Sequence, residues 1–378
     1  MERESVTYTR TESIEFLIDD DPEMEWLSSF DSSAYDRFFV ILDEHVQQKW
    51  GDMLLKLLKA HKKPCFSCAV PAEEATKSLA FYPRLVKFLE ERRCGLGDLV
   101  IAVGGGTVLD LVSFTCSTYM RGLPFFMVPT NLVGMVDASS AGKTCLSTEE
   151  TKNLLGTFYY PLKVYSNVTF LETTAPYYER QGLSEIFKYG LLGSRPLLKA
   201  MAAYQRTRSR KDLKKMILLG MRTRIAIRKQ HPQASNLGHT FGHAIEHLSG
   251  YEILHGDAIT VGTVMALYFA KEEGLIKQRF VDTIIKMMKA HRLNIFVDRG
   301  LEPEKMVDAM MRDKKSTSKK IQLVLLLGIT KPYKTQDSFF YPVNPEKMKA
   351  FLEGFLKTYP YAVYGCAQKI RMDRLTYR

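Results

Sequence analysis

The chain has 378 residues, 46% of them apolar and 25% charged, and its 53 Lys and Arg outnumber 42 Asp and Glu for a net charge of +11. This ordinary composition excludes a fibrous protein and long disorder, and the length predicts two or three domains. The basic residues are scattered: even the densest run, Arg206-Thr-Arg208-Ser-Arg210-Lys211, adjoins helix-like sequence. The surplus therefore reads as solvated surface and as steering of an anionic small molecule, not as a nucleic-acid face. Met1-Glu-Arg-Glu-Ser-Val lacks a basic region leading into an apolar one, and no apolar stretch reaches the ~18 residues of a membrane span. A cytoplasmic protein with no membrane contact is expected.

In chain order, Phe38–Asp43 is an apolar, β-branched run ending in an acid, and a helical stretch follows it. Pro64–Val70 alternates as a strand, Leu85–Arg92 is amphipathic, and Asp98–Val103 runs straight into Gly104-Gly105-Gly106. Phe125–Thr130 and Lys163–Asn167 are further short strands. Continuous apolar strands separated by helices predict a parallel sheet covered on both faces. After about Thr173 the pattern turns helical. Thr174-Ala-Pro176 reads as a helix start with a capping hydroxyl, Ala258–Ala270 as a buried helix, and Ile321–Leu327 as one strand. The expected organisation is a nucleotide-binding α/β half over 1–172, with a Rossmann-like parallel sheet, and a mostly helical half over 173–378. Ligands are expected in a cleft between them.

Cys65 and Cys68 have C-x-x-C spacing, but there is no second pair to complete a zinc site, so they read as core thiols of a strand in a reduced protein. The three glycines after Val103 allow backbone amides to approach a pyrophosphate at a helix N-terminus, although the spacing is not G-x-G-x-x-G. Asp43 reads either as an acceptor for a ribose or as a plain strand-end cap. A sharper signal is Gly238-His239-Thr-Phe-Gly-His243-Ala-Ile-Glu246-His247, followed by His255-Gly-Asp257, which holds four of the eight histidines. His239, His243 and His247 recur every four residues on one helix face. Histidines from these two segments, with the distant carboxylate of Glu185 in the helical Gly182-Leu-Ser-Glu185-Ile-Phe-Lys188, suit a divalent metal with an open coordination position. The string H-T-F-G-H lacks the glutamate of H-E-x-x-H, which disfavours a zinc protease. Asp137-Ala-Ser-Ser-Ala-Gly-Lys143-Thr, with Lys152-Asn153 after it, reads as an anion cradle or a polar loop.

Taken in order, these strings resemble dehydroquinate synthase and its sugar phosphate cyclase relatives. The resemblance is carried by Gly104-Gly-Gly with Asp110, Tyr119-Met-Arg121-Gly, Pro129-Thr130, Val136-Asp137-x-Ser-x-x-Gly-Lys143-Thr and Lys152-Asn153. It continues through Glu185-x-x-Lys188-Tyr-Gly, Asn236-Leu-Gly-His239-Thr-Phe-Gly-His243, Leu254-His255-Gly and Asp313-Lys314-Lys315, so that it spans Asp43 to Leu327. It implies an NAD-binding α/β domain and a metal-binding helical domain, usually in a homodimer. By motif, Glu185, His239 and His255 would bind the metal, zinc or cobalt. Asp43, Glu74, Lys77, Gly104, Gly105, Gly106, Asp110, Thr130 and Lys152 would bind NAD. Asp137, Lys143, Lys188, Asn236 and His243 would act on a phosphorylated sugar substrate. Asn153 and one of Lys314 or Lys315 would hold its phosphate, with Arg121 reaching across from the neighbouring subunit.

The implied reaction oxidises a secondary alcohol with NAD, eliminates phosphate, returns the hydride and closes a carbocycle by an intramolecular aldol step, most simply as 3-dehydroquinate synthase. The strings depart from that family in one place. It usually carries an acidic stretch and Gly-Leu-Arg shortly before Asn-Leu-Gly-His. Here Arg222–Ser235 is several residues shorter and has no Gly-Leu-Arg, leaving Arg224, Arg228 or Lys229 as possible substitutes. Loss of a bidentate fork would weaken recognition of a carboxylated substrate. A cyclase acting on sedoheptulose 7-phosphate or glucose 6-phosphate, or a metal-dependent polyol or glycerol-phosphate dehydrogenase, is the alternative.

Overall fold

A computed structural model describes residues 13–140, 142–148, 153–298, 300–313, 316 and 320–363. They fall into two compact units, one comprising the chain up to Thr130 with Gly142–Thr169, the other Asn131–Ala141 with everything from Phe170 onward. Asn131–Ala141, inside the 1–172 half by sequence, thus clusters with the helical unit.

In the first unit the strands are β1 (Glu15–Asp19), β2 (Phe38–Asp43), β3 (Cys65–Val70), β4 (Leu99–Gly104), β5 (Phe125–Pro129), β6 (Lys143–Leu146), β7 (Leu155–Phe158) and β8 (Lys163–Asn167). Six of them form a sheet in the order β1-β8-β5-β4-β2-β3 with parallel neighbours. Every residue of β2, β4 and β5 is buried, the mark of strands covered on both faces. The five expected strands are all in this sheet. β1, an edge strand beside Asp19-Asp-Asp21, is absent from the expected set because it lacks the full burial of the central strands.

β3 is the opposite edge, and its residues alternate between part-buried and exposed before ending at the buried Val70. Cys65 and Cys68, three apart on a strand, point to opposite faces, so the C-x-x-C spacing does not make a redox pair. They are half-buried rather than core, and burial pushes both thiols up. β6 and β7 pair as an antiparallel hairpin separate from the main sheet, so Lys143 stands on a strand rather than in a loop.

The second unit is mainly helical. Its longest apolar helix, His255–Glu272, is buried at nearly every position from Gly256 to Ala270. The helix Pro176–Gly193 begins with Pro in its first turn as expected, but Thr174 does not cap it: Ala175 is the cap residue, and the Thr174 hydroxyl donates back to the Phe170 carbonyl at 3.3 Å. Ile321–Leu327 is two strands, not one. Ile321–Leu323 pairs with Tyr341–Val343, and Leu326–Gly328 with Lys331–Pro332. Because Leu323, Val324, Leu325 and Leu326 are all buried, the run carries no period-2 signal to reveal the break. Among the described residues, no helix is long and apolar enough to cross a membrane.

One buried histidine gives this unit a pH signature. His291 follows the helix Gln278–Ala290, is 5% exposed, and has no hydrogen-bond partner at Nδ1. Burial lowers its pKa to about 4. Below an unfolded-state value of about 6.5, the unfolded chain takes up a proton that the folded chain refuses. The folded state therefore loses up to about 3 kcal/mol as pH falls from about 6.5 to about 4, and nothing further below that. Urea unfolding of His291→Gln across this window should show a correspondingly flatter stability profile than the unsubstituted chain; parallel profiles would refute the assignment.

Candidate active site

Three elements of the second unit bring Glu185, His239 and His255 together. Glu185 lies midway along Pro176–Gly193, in a stretch buried continuously from Gln181 to Leu192. His239 and His255 are the first residues of the helices His239–Leu248 and His255–Glu272. Those two helices meet at backbone distance. A Cβ on Gly262 would lie 2.1 Å from the Gly238 carbonyl oxygen, and Gly238 itself sits at φ +76°. Glycine at both positions brings the two histidine-bearing ends together. One ligand atom from each of Glu185, His239 and His255 lies within 4.8 Å of the others.

The hydrogen bonds fix which atoms face inward. His239 Nδ1 is 3.0 Å from the Leu237 carbonyl, to which it can only donate, leaving Nε2 as the ligand atom. His255 Nδ1 is 3.2 Å from Glu246 Oε2, while its Nε2 is 3.5 Å from Glu185 Oε1. A ring nitrogen held by a carbonyl or carboxylate while the other faces the site is the usual outer support of a metal-binding histidine. Glu185 is fully buried, and neither of its oxygens accepts a hydrogen bond, although the Lys188 ammonium forms an ion pair with it. A buried carboxylate without a hydrogen-bond donor, beside two oriented imidazoles, fits a divalent cation of the zinc or cobalt type.

The charges agree. Burial alone would raise the Glu185 carboxyl, but Lys188 and His255 hold it below the usual range. His239 is held well below the ordinary imidazole value, first by burial and then by Lys188 and the neighbouring histidines. Burial also disfavours charge on His255, yet Glu246 and Glu185 push it up to about 10. Glu246 and Glu185 thus favour positive charge at His255, a place suited to a dication.

His243 is beside this group, its ring centroid 5.3 Å from that of His239, with Nδ1 3.0 Å from the buried Asp313 carboxylate. His247 is exposed, so the i, i+4, i+8 spacing overcounts. Lys188 also lies 4.5 Å over the Tyr189 ring. Tyr189 donates to Asp137 Oδ1 at 2.8 Å, and Arg224 Nε donates to the same oxygen at 2.6 Å. Burial would raise the Asp137 carboxyl, but Arg224 and Lys188 hold it far below the usual range. Asn236 spends its amide on the Gln233 carbonyl. Glu246, Tyr189 and Asp313 were assigned no role from sequence. Glu246 had a signal, three residues after His243 on the same helix, whereas Asp313 is 70 residues from its partner.

In the first unit a second cluster forms. Lys77, 5% exposed, lies 3.2 Å from both Glu74 Oε1 and Asp110 Oδ2. Thr107 donates to Glu74, and Cys145 to Asp110. Burial opposes the Lys77 charge, but Asp110 and Glu74 outweigh it and keep the ammonium protonated. Gly105 precedes the helix Gly106–Thr118 and supplies no side-chain cap, so the first-turn amides are available to an anion. Gly104 has a packing role, because a Cβ there would lie 2.8 Å from Val108 Cβ. Asp43 caps Glu44–Lys59 through the His45 and Val46 amides, and the Thr130 amide donates to the Gly104 carbonyl. Arg121 and Asn153 both have positive φ, 65° and 55°; Lys143 is exposed on β6. Lys152, Lys314 and Lys315 lie outside the described residues.

Comparison with known proteins identifies the family and the fold. The family model described as 3-dehydroquinate synthase N-terminal matches residues 67–180, and that described as 3-dehydroquinate synthase C-terminal matches 182–316. A 3-dehydroquinate synthase of Sulfurisphaera tokodaii is 36% identical over 271 residues, covering 68% of this chain and 77% of the relative. Among solved structures, 2-epi-5-epi-valiolone synthase from Streptomyces hygroscopicus, with NAD+ and Zn2+ bound, superposes with a TM-score of 0.82 at 22% identity, covering 93% of this chain and 99% of the other. A 2-deoxy-scyllo-inosose synthase complexed with carbaglucose-6-phosphate, NAD+ and Co2+ gives 0.80 at 20% identity, covering 90% and 96%. At these identities the two structures speak to the fold alone.

Proposed function

From the premise that this chain belongs to the 3-dehydroquinate synthase family, we propose that it is an NAD- and metal-dependent sugar phosphate cyclase, with 3-dehydroquinate synthase the leading activity. The observation that carries the reading is the convergence of Glu185, His239 and His255 from separate helices. These residues hold the divalent cation, and the Lys77, Glu74 and Asp110 cluster with the amides after Gly105 holds NAD. When bound, the cation acidifies adjacent substrate hydroxyls and NAD exchanges a hydride with the substrate carbon.

The chain's own residues place the substrate and manage its charge. Asp137, kept ionised by Arg224 and Tyr189, accepts a hydrogen bond from a substrate hydroxyl. Lys188 offsets negative charge as it develops beside Glu185. His243, oriented through Nδ1 by Asp313, turns Nε2 toward the substrate phosphate. Lys143 and Asn153 of the first unit and Asn236 of the second remain substrate-binding candidates by motif, with Arg121 contributed by the neighbouring copy in a homodimer.

One observation favours a non-carboxylated sugar phosphate as the second reading. Arg224, a possible substitute for the missing Gly-Leu-Arg arginine, is buried and commits its Nε to Asp137. That leaves it poorly placed to act as a fork on a carboxylate. The test is phosphate release by the purified protein with NAD+ and Co2+ or Zn2+, offered heptulosonate phosphate, sedoheptulose 7-phosphate and glucose 6-phosphate separately. Release from the first alone, without net NADH, is the expected result. Release only from another selects the second reading. NADH accumulating in step with substrate consumed, without phosphate release, overturns both in favour of a dehydrogenase.

A further inference from the structure

The turn that delivers His255 is anchored from the helix that carries Glu185. Arg180 donates from Nε to Asp257 Oδ1 at 2.9 Å and from Nη2 to Oδ2 at 3.1 Å. Gln181 donates from Nε2 to Asp257 Oδ2 at 3.0 Å, and its Oε1 accepts from the Asp257 amide at 3.0 Å. Asp257 is completely buried, and one turn on the hydroxyls of Thr260 and Ser184 meet at 2.9 Å.

Each contact answers a local need of the helix His255–Glu272. The Asp257 amide belongs to the first turn, where no intrahelical acceptor exists, and Leu254 supplies no side-chain cap. Gln181 therefore caps the helix from its neighbour. The Asp257 carboxylate, costly to bury alone, is matched by the planar fork of Arg180. A buried ion pair of this kind adds little net stability compared with apolar packing, and its best-attested use is to select one register. Here the register matters chemically. Gln181 is one turn before Glu185 and Asp257 is two residues after His255, so sliding either helix by a turn breaks every bond of the clasp and separates the two ligands.

We infer that Arg180, Gln181 and Asp257 are positioning residues that set the spacing of the Glu185 carboxylate and the His255 ring, and with it the affinity of the site for its divalent cation. This rests on the reading of Glu185, His239 and His255 as metal ligands. The test uses the full chain and Co2+ alone, read by chelator competition and by the cobalt d–d absorption, well below the melting transition. Arg180→Lys and Gln181→Met should each weaken Co2+ binding roughly 10- to 100-fold and shift the d–d band, as loss of outer support does at metal sites. Arg37→Lys, which breaks a comparable fork onto Asp98 in the first unit, should change neither. Variants that fold, by circular dichroism, yet bind within twofold of the parent with an unshifted band overturn the inference. If Arg180→Lys does not fold, Gln181→Met, which removes no charge, decides. A parent protein that takes up no Co2+ refutes the metal reading itself, and the clasp's role with it. Binding by the parent with no change in the variants refutes only the clasp.

Discussion

Glu185→Gln is expected to abolish the thermal stabilisation that Co2+ or Zn2+ confers and to reduce turnover at least ~10³-fold. The substitution preserves shape and removes only the negative charge from the most buried of the three ligands. Changes in outer support cost metal sites about 10–100-fold in affinity, so loss of the anionic ligand itself should exceed that. At a hundredfold excess over its dissociation constant, a metal adds about 2.7 kcal/mol to the folded state. For a unit of this size that is roughly a 5–10 °C rise in melting temperature. Scanning calorimetry with and without metal should show this rise in the parent and almost none in the variant. Glu246→Gln, which removes the support behind His255, should fall between the two. An undiminished metal-induced rise in Glu185→Gln would sink the assignment of the site.

The second large effect is expected in the first unit. Lys77→Met leaves Asp110 facing a buried site without its cation, and breaking a pair of this kind costs about 3 kcal/mol. The first unit should melt roughly 6–12 °C lower, and NAD+ affinity should fall more than ~10-fold, while Co2+ binding is unchanged. A double variant, Lys77→Met with Asp110→Leu, separates packing from function. Replacing both charges by apolar groups should restore most of the stability, since the desolvation of both ions is then relieved. It should not restore NAD+ binding, which would be measured by titration calorimetry. If the double variant regains affinity as well as stability, the cluster is structural and the nucleotide site lies elsewhere.

Much of the first unit was legible in the chain. Phe38–Asp43, Asp98–Val103 and Phe125–Thr130 announce buried parallel strands because consecutive apolar, largely β-branched and aromatic residues suit a strand covered on both faces. Edges and hairpins were less visible. β1 is an only partly buried edge, and β6 and β7 form a small hairpin in a stretch that mixes threonines with charged residues, a composition shared by strands and loops alike. Ile321–Leu327 shows the opposite failure, in which four consecutive buried residues, Leu323 to Leu326, hide a change of strand.

The candidate metal group was readable as residue types and motif order: an acid three residues before a lysine, and histidines crowded into 17 positions. Chemistry of that kind is local, since it depends on which donor atoms a short string offers. Leu237 and Glu246, which select the ring nitrogens, lie two and nine residues from their histidines, but the other partners are not local. Asp313 holds His243 from 70 residues away, Arg224 reaches Asp137 across 87, and Arg180 reaches Asp257 across 77. Spacing along a chain carries no signal for such pairs, because they form only where packed helices choose a register. The amino-acid order thus specified which atoms were on offer and in what kind of secondary structure. Helix packing, keyed by Gly238 and Gly262 and by buried charges that cannot be left unpaired, settled which of those atoms meet.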